Sequence, residues 1–465
     1  MSLAETDETI FDHNGSSLFT PASNLKIITS ACALKVLGPQ YRFTTDFLSS
    51  GDINNKGVLD GDLVVRGFGD PTLADLRTLD LWRKVRLADK AYNLPHGVEI
   101  SLESIAKRLH KAGLREVNGN IVIDDSYFDD KRVADGWTTD DESSFYASQP
   151  GALSVNENIL SVIVRPGEQV GDLAVVTANP AGYARIDNQS ITGRRGTKDT
   201  LSFNRIRDEN EVVVAGSIPP KHGRVVKFMT IDDPGLYMGY VLGNALGFAG
   251  IRVQGRVRRK ERRESFGRSR LLIRNKSVPL SAIVRCLNKV SDNFYAEQLV
   301  KTIGAVKLGD GSWEGGLKVV QSFLKKFQIR GPYRVADGSG LSRYDLVTPR
   351  MITAVLRAMR RDKNFVDSLP VAGEDRGYGT LRRRMKRTLA AENLRAKTGT
   401  LEGVSALSGY VNSIDGELLV FSIMVNQAVG NLVQEKHLQD RIGVLLASNR
   451  INDSRVALQR ICDAL

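Results

Sequence analysis

One apolar helical stretch near the start of the chain constrains the fold more than any other feature. Its apolar positions, which recur at helical spacing before a normal stop at Gly38-Pro39, are Ile27, Ile28, Ala31, Leu34 and Leu37. From Tyr41 onward the pattern changes to short alternating stretches that predict strands, and these recur to about Leu272. Near Pro279 the sequence becomes helical again. We therefore predict a discontinuous domain, whose first helix precedes a long insertion and whose remainder follows it.

Length and composition set broad limits on the class of protein. A chain of 465 residues is too long for one ordinary domain and indicates two or three. An apolar fraction of 42% and a charged fraction of 25% are typical of a globular protein. No run approaches the roughly 18 apolar residues of a membrane span, so no transmembrane segment is predicted. The first residues, Met1 to Glu5, lack the basic and apolar regions of a signal peptide, so none is predicted in the sequence as it stands.

Metal and cofactor chemistry find little support in the sequence. The three cysteines, Cys32, Cys286 and Cys462, are too few for a disulfide framework and are not spaced as a metal knuckle. None of the five histidines pairs with another at ligand spacing. We therefore predict no metal and no cofactor. The scarcity of histidine also weakens a Ser-His-Asp triad, which leaves lysine as the available base.

The balance of charge is strongly basic. A formal net charge of +12 favours anionic partners in general, from nucleic acid to wall polymers and membrane surfaces. The densest basic run, Arg256 to Arg263, has no interleaved aromatic residues on which bases could stack. We interpret this run as a solvated strand end and predict no nucleic-acid partner.

A serine and a lysine open the apolar helix three residues apart. Ser23 and Lys26 lie one turn apart on one helical face, so the lysine amine can reach the serine hydroxyl. A free serine is a poor nucleophile, and a neighbouring base must take its proton. Lysine can be that base only if burial or another cation lowers its pKa.

Alone, this spacing is not specific. It occurs again at Ser104 with Lys107 and at Ser322 with Lys325, where a helix with a surface lysine is the simpler interpretation. Two further motifs distinguish the first copy, Ser291-Asp292-Asn293 and Lys397-Thr398-Gly399. These three motifs occur together in penicillin-binding proteins and class A β-lactamases.

The chain resembles the D-alanyl-D-alanine carboxypeptidase/endopeptidase family, the class C low-molecular-mass penicillin-binding proteins. The likeness covers nearly the whole chain and includes Pro21-Ala22-Ser23, Gly69-Asp70-Pro71-Thr72-Leu73, Asp337-Gly338-Ser339-Gly340-Leu341-Ser342-Arg343 and Lys397-Thr398-Gly399. The long insertion between the first and second motifs is typical of this class and not of class A β-lactamases. The resemblance implies an α+β multidomain fold: a transpeptidase/β-lactamase-like catalytic domain, with an antiparallel sheet flanked by helices, and two nested, largely β inserted domains.

Domain boundaries follow from this resemblance. The catalytic domain is expected at residues 1–42 and 273–465, the first inserted domain at 43–72 and 155–272, and the second at 73–154. Two departures from the family pattern stand out. The segment before Ser23 is shorter than usual, and residues 80–97 form an extra segment of unknown purpose.

The resemblance also implies a role for each residue of the three motifs. Ser23 would be the nucleophile and Lys26 its base. Ser291 would relay a proton to the leaving amine, Asn293 would orient Lys26, and Lys397 would line the cleft as a second cation.

Substrate contacts are implied at four further positions. Thr398, Gly399 and Thr400 would bind the substrate, and the backbone N–H groups of Ser23 and Thr400 would form an oxyanion hole. Arg384 belongs to a basic run that either contacts an acidic group on the peptide stem or forms a solvated helix face.

The resemblance implies a serine D-Ala-D-Ala carboxypeptidase with additional D,D-endopeptidase activity. Its partner would be a peptidoglycan stem peptide ending in D-Ala-D-Ala, attacked through an acyl-enzyme on Ser23, and β-lactam antibiotics would inhibit it covalently. Such an enzyme works in the periplasm or is otherwise exported. Two alternatives remain open at this point: a β-lactamase, although no glutamate is assignable to its deacylation step, and a non-catalytic wall-binding protein.

Overall fold

The computed structural model describes residues 1–73, 101–206, 209–262, 264–266, 269–327, 331–374 and 378–463. The extra segment expected at residues 80–97 lies outside them. Within this described part of the chain, none of the helices is long and apolar enough to cross a membrane.

Runs of strands and runs of helices follow one another along the chain. The strands are β1 (Ser2–Leu3), β2 (Thr44–Ser49), β3 (Val58–Leu59), β4 (Leu63–Gly67), β5 (Glu116–Val117), β6 (Ile121–Asp124), β7 (Ile159–Arg165), β8 (Val175–Asn179), β9 (Arg185–Thr192), β10 (Ser202–Ile206), β11 (Glu211–Ile218), β12 (Val225–Thr230), β13 (Arg252–Val253), β14 (Val257–Arg259), β15 (Arg270–Lys276), β16 (Arg395–Leu401), β17 (Val404–Asn412) and β18 (Leu418–Val425). The helices are α1 (Leu25–Leu37), α2 (Leu102–Lys111), α3 (Pro234–Phe248), α4 (Leu280–Val290), α5 (Asn293–Leu308), α6 (Trp313–Lys325), α7 (Pro349–Met359), α8 (Lys363–Val366), α9 (Val433–Ser448) and α10 (Ile451–Asp463).

An antiparallel sheet in the order β1-β18-β17-β16 forms the centre of the catalytic domain. Side chains of β17 alternate between its two faces. Ala406 and Tyr410 face a core built with α1 and α4 to α8, whereas Leu407 and Val411 face a second core that includes residues of α9 and α10. The sheet is therefore flanked by helices on both faces.

Helix α1 runs through the middle of the first core. Every residue from Leu25 to Leu34 is buried, including Lys26 and Thr29. A helix that is apolar on all sides is stable only when other elements surround it. The first turn of α1, with the Lys26 side chain, is thereby held inside the domain.

The insertion leaves and rejoins the catalytic domain at one place. The Phe43 N–H donates to Ser277 Oγ at 3.0 Å, and β2 pairs antiparallel with β15 from Thr44 opposite Lys276. Because the outgoing and returning strands are neighbours, a long insertion can be accommodated without opening the catalytic core.

The inserted residues that the structure describes build four sheets. β2 and β15 belong to a five-stranded sheet in the order β14-β6-β4-β2-β15, and a small sheet has the order β13-β5-β3. Two three-stranded sheets follow, β12-β7-β8 and β10-β11-β9. The five-stranded sheet draws strands from both segments predicted as inserted domains, since β6 pairs with β4 and with β14.

The predicted fold class is confirmed. The chain has an α+β catalytic domain with a transpeptidase-like arrangement and a largely β insertion after its first helix. The boundaries predicted for the three domains stay a prediction.

Candidate active site

Ser23 lies in a single 3₁₀ turn, Ala22–Asn24, that leads into α1. Lys26 follows one turn later on the same face, and its Nζ donates to Ser23 Oγ at 2.8 Å. Ser23 is half-buried and Lys26 is fully buried. The local helical spacing therefore brings the two side chains into direct contact.

The Lys26 amine has two further partners. Its Nζ donates to Asn293 Oδ1 at 2.6 Å and to the Ser339 carbonyl oxygen at 2.8 Å. Burial lowers the pKa of Lys26 to about 8, because removal from water disfavours the charged form. The carboxylates whose charge raises this pKa in opposition are Asp337, Glu297, Asp292 and Asp345.

A second serine–lysine pair belongs to the same site. Ser291 ends α4 with φ at 64°, in the left-handed region, and the chain starts α5 two residues later. Lys397 Nζ donates to Ser291 Oγ at 2.7 Å and to the Thr398 carbonyl oxygen at 2.9 Å. Burial lowers the pKa of Lys397 well below its ordinary value, and the nearby Lys26 cation lowers it further.

The insertion contacts this site through the Tyr146 carbonyl, which binds Asn293. The Asn293 Nδ2 group donates to the Tyr146 carbonyl oxygen at 2.8 Å, while its Oδ1 accepts from Lys26. An amide presents a donor and an acceptor on opposite sides. The Tyr146 carbonyl therefore fixes which end of the amide faces the lysine.

Strand β16 carries the third motif and lies at the edge of its sheet, with β17 as its neighbour. Lys397 is fully buried, whereas the Thr400 side chain is exposed. Thr398 Oγ1 donates to Thr380 Oγ1 at 2.8 Å. The strand thus presents threonine side chains beside the second lysine.

Gly399 has a packing role that the sequence did not reveal. A Cβ at this position would lie 2.8 Å from the Pro21 carbonyl oxygen and 3.2 Å from Ala22 Cβ. Glycine therefore allows β16 to approach the backbone that carries Ser23.

Arg384 makes its hydrogen bonds within the protein. Its Nε donates to Asp440 Oδ1 at 2.8 Å, and another nitrogen donates to the Lys436 carbonyl and the Gln439 side chain at 3.0 and 3.1 Å. The guanidinium is thus held against α9. This geometry favours a structural role for Arg384 over the predicted contact to a stem peptide.

Neither repeat of the Ser-x-x-Lys spacing forms a comparable pair. Lys107 on α2 is exposed, and both Ser322 and Lys325 on α6 are exposed. Ser322 Oγ donates to the Lys318 carbonyl of its own helix. Burial of the lysine distinguishes the first copy from the two repeats.

Sequence reasoning missed Glu297, Ser339 and Tyr146. Glu297 lies one turn after Asn293 on the same face of α5 and is fully buried. A single carboxylate within the apolar run around Leu299 was the available signal. Ser339 and Tyr146 act through backbone carbonyls, so their side chains gave no signal.

The site and the fold belong together as features of one class of protein. A serine at the head of a buried helix, a buried lysine beside it and an edge strand with a second lysine lie next to an antiparallel sheet flanked by helices. These features define a serine peptidase with a transpeptidase-like domain.

The chain belongs to the D-Ala-D-Ala carboxypeptidase 3 (S13) family, whose sequence profile matches residues 2–448. The predicted resemblance is thereby confirmed. The D-alanyl-D-alanine carboxypeptidase of Actinomadura sp. (strain R39) is 34% identical over 455 residues, which cover 95% of this chain and 79% of that protein. A D-alanyl-D-alanine carboxypeptidase of Haemophilus influenzae is 29% identical over 444 residues, or 90% of this chain and 83% of that protein.

The fold is also similar to a solved structure. The crystal structure of penicillin binding protein 4 from Haemophilus influenzae superposes with a TM-score of 0.80 at 25% identity. The match covers 99% of this chain and 95% of that chain. The likeness therefore includes the inserted residues as well as the catalytic domain.

Proposed function

We propose that this protein is a serine D-Ala-D-Ala carboxypeptidase that forms an acyl-enzyme on Ser23. The observation that carries the proposal is the 2.8 Å contact between Ser23 Oγ and the buried amine of Lys26. The family and the names of the relatives from Actinomadura and Haemophilus support D-Ala-D-Ala as the substrate.

The hydrogen bonds of Lys26 suit a base. A neutral amine has two N–H groups and one lone pair. The Asn293 Oδ1 and the Ser339 carbonyl are acceptors and cannot donate, so they take both N–H groups. The lone pair then faces Ser23 Oγ and can receive its proton as the hydroxyl attacks the carbonyl carbon.

Lys397 supports this protonation state. When two buried amines lie close together, the positive charge on one lowers the pKa of the other, so a state with both protonated is disfavoured. A substrate carboxylate beside Lys397 would favour the proton on that lysine and leave Lys26 neutral. The hydroxyl groups of Thr398 and Thr400, on the same strand, would donate to that carboxylate, and Thr398 would then give up its hydrogen bond to Thr380.

Collapse of the tetrahedral intermediate needs a proton for the leaving amine. Ser291 Oγ accepts a hydrogen bond from Lys397 at 2.7 Å, so it can pass a proton onward and regain one from the lysine. The Ser23 and Thr400 N–H groups are proposed as the oxyanion hole, and Thr400 suits this role because β16 is an edge strand.

The same chemistry extends to a larger leaving group. Release of free D-alanine is carboxypeptidase action, and release of a cross-linked stem peptide is D,D-endopeptidase action. We include both in the proposal, together with covalent inhibition by β-lactams, which the name of the Haemophilus penicillin binding protein supports. Because the substrate is the cell wall, the protein would work in the periplasm or elsewhere outside the cytoplasm.

The deciding experiment measures intact-protein mass during incubation with benzylpenicillin, with the labelled peptide mapped. A persistent single adduct on Ser23 is expected, and a rapidly lost adduct would indicate a β-lactamase instead. Ser23→Ala should keep the fold and lose adduct formation, with turnover reduced by about 10⁶, or roughly 8 kcal/mol. Labelling that persists in this variant would contradict the assignment.

Substrate scope needs its own measurement. Released D-alanine from a peptide ending in D-Ala-D-Ala reports carboxypeptidase activity, and cleavage of a cross-linked muropeptide dimer reports endopeptidase activity. Ser23→Ala should lose both, because one acyl-enzyme serves both reactions.

A further inference from the structure

We propose that Glu297 is a positioning residue for the reaction: it holds the Ser339 carbonyl where that oxygen accepts from Lys26, and so directs the lysine lone pair to Ser23. This inference rests on the proposed function of Ser23 and Lys26. It assigns a role in the reaction to a side chain that belongs to none of the three motifs.

The Glu297 carboxylate binds the peptide on both sides of Gly338. Oε1 accepts from the Ser339 N–H at 2.8 Å, and Oε2 accepts from the Gly338 N–H at 2.8 Å. Oε2 also accepts from Trp313 Nε1 at 2.8 Å. With both oxygens engaged and the side chain fully buried, the carboxylate has one orientation, and so have the two peptide groups on either side of Gly338.

Further contacts of this loop come from α1, from the loop itself and from the insertion. Thr29 Oγ1, one turn after Lys26, donates to the Gly338 carbonyl at 2.7 Å. Asp337 accepts from the Gly340 and Ser342 N–H groups at 2.7 and 2.8 Å. With these groups held, the Ser339 carbonyl oxygen points toward Lys26 and lies 2.8 Å from its Nζ.

Helix α5 then controls both acceptors of the Lys26 N–H groups. Asn293, its first residue, provides one acceptor directly, and Glu297, one turn later, controls the other through the loop. If the Ser339 carbonyl moved, the Lys26 amine would rotate to donate to another acceptor. Its lone pair would then no longer point at Ser23 Oγ. Misplacement of a reacting group by about 1 Å can cost about 10²-fold in rate.

Glu297 also influences Lys26 through charge, which gives the test a second readout. Burial and the nearby Asp337 charge raise the pKa of Glu297 itself to about 8. In its ionised form the carboxylate raises the pKa of Lys26 against the lowering effect of burial, so its removal should move the pKa of Lys26 downward. The other carboxylates that act on the Lys26 amine are Asp337, Asp292 and Asp345, and the charge that acts on Lys397 is that of Lys26 itself. These stay unchanged when Glu297 alone is replaced.

The test measures the second-order rate constant for acylation by benzylpenicillin as a function of pH. In Glu297→Gln one amide N–H must face a loop N–H, so the loop loses its fixed position. We expect the plateau rate to fall by about 10²-fold and the midpoint of the profile to move to lower pH. A loss of folding alone would reduce the active fraction and leave the midpoint in place.

Two variants separate positioning from charge and from packing. Thr29→Val removes a loop hydrogen bond without changing any charge, so the plateau should fall severalfold while the midpoint stays in place. Ile303→Ala, a buried position further along α5, is the packing control: it should lower the melting temperature and keep the wild-type plateau and midpoint. If Glu297→Gln does not fold, Thr29→Val decides the outcome.

Failure of this inference can be told from failure of the proposed function. If the wild-type protein forms no adduct on Ser23, the proposed function fails. If it forms the adduct and folded Glu297→Gln or Thr29→Val reacts with the wild-type plateau and midpoint, only the role of Glu297 is overturned.

Discussion

The chemistry proposed at Ser23 depends on the protonation of one amine, that of Lys26. Its pKa is lowered to about 8 by burial, from an ordinary value of 10.5. Below this pKa the amine carries a proton and cannot accept one, so acylation by benzylpenicillin should rise about tenfold per pH unit and level off above about pH 8. Rapid-quench mass spectrometry across this range measures the profile.

The chain supplies a control for that experiment. Lys26→Met should lose acylation at every pH, because no base remains beside Ser23. Lys107→Met changes an exposed lysine with the same spacing from a serine and should keep the wild-type profile. A profile with its midpoint near the ordinary lysine value would contradict the assignment of Lys26 as the base.

Arg384 provides a test at a second residue. Its guanidinium makes three hydrogen bonds to α9, one of them to the Asp440 carboxylate. Arg384→Ala should therefore lower the free energy of unfolding by about 2 kcal/mol in urea titrations. Catalysis on stem peptides with and without an acidic side group should change equally.

The neighbouring exposed Arg383 gives the matched control. Arg383→Ala should leave the free energy of unfolding almost unchanged, because its side chain is exposed. A rise in KM for the acidic substrate alone in Arg384→Ala would contradict a purely structural role and support the substrate contact that the sequence had suggested.

Among the elements, the turn before α1 depends on close backbone approach. Gly340 has φ at 80°, and a Cβ there would lie 1.9 Å from the Ala22 carbonyl oxygen. Gly340→Ala must therefore displace the turn that carries Ser23, and we expect both a lower melting temperature and a large loss of acylation. Thermal unfolding and the benzylpenicillin rate measure the two effects.

Substitution of Gly416 is a control that tests backbone strain without a steric contact. Its φ is 84°, nearly that of Gly340, and nothing lies within 4 Å of its would-be Cβ. Gly416→Ala should cost only about 1 kcal/mol in stability and leave acylation unchanged. Equal effects of the two substitutions would show that the approach to Ala22 is unimportant.

Helix α3 was not predicted, since its segment was taken as part of a strand-rich block. Glycine recurs along it, and a Cβ at Gly239 would lie 2.3 Å from Val257 Cγ1. Glycine lowers intrinsic helix propensity, yet here it lets the helix pack closely on strands β6 and β14. Tertiary packing thus stabilises a helix that local preference does not favour.

At the scale of the whole molecule, the insertion contributes directly to the active-site region. Trp137 Nε1 donates to Asp337 Oδ2 at 2.9 Å, and Ser342 Oγ donates to the Asp135 carbonyl at 2.6 Å. Trp137→Phe should lower the free energy of unfolding by about 2 kcal/mol, because a buried carboxylate loses a donor. Acylation should also slow severalfold, since Asp337 holds the loop that carries Ser339.

A remote position in the insertion serves as the comparison. Tyr240→Phe removes one hydrogen bond, from the hydroxyl to the Ala181 carbonyl, away from the catalytic domain. It should leave acylation unchanged. A Trp137→Phe protein that acylates at the wild-type rate would show that the insertion does not support the site.

The elements whose contacts are local could be predicted from the sequence. Apolar spacing predicted α1, the one-turn separation of Ser23 and Lys26 predicted their shared face, and alternation predicted strands in the insertion. The family resemblance added a role for each residue of the three motifs, and the family match confirms the resemblance itself. In each case, the physical signal lies within one or two helical turns or one strand.

The contacts that join distant segments could not be predicted from the sequence and are seen in the folded structure. The hydrogen bonds from Asn293 to the Tyr146 carbonyl and from Ser339 to Glu297 depend on how α5, a loop and the insertion pack together. The same packing turned Arg384 toward α9. Backbone carbonyls and N–H groups are common to nearly every residue, so neither composition nor spacing reveals which of them will meet once the chain has folded.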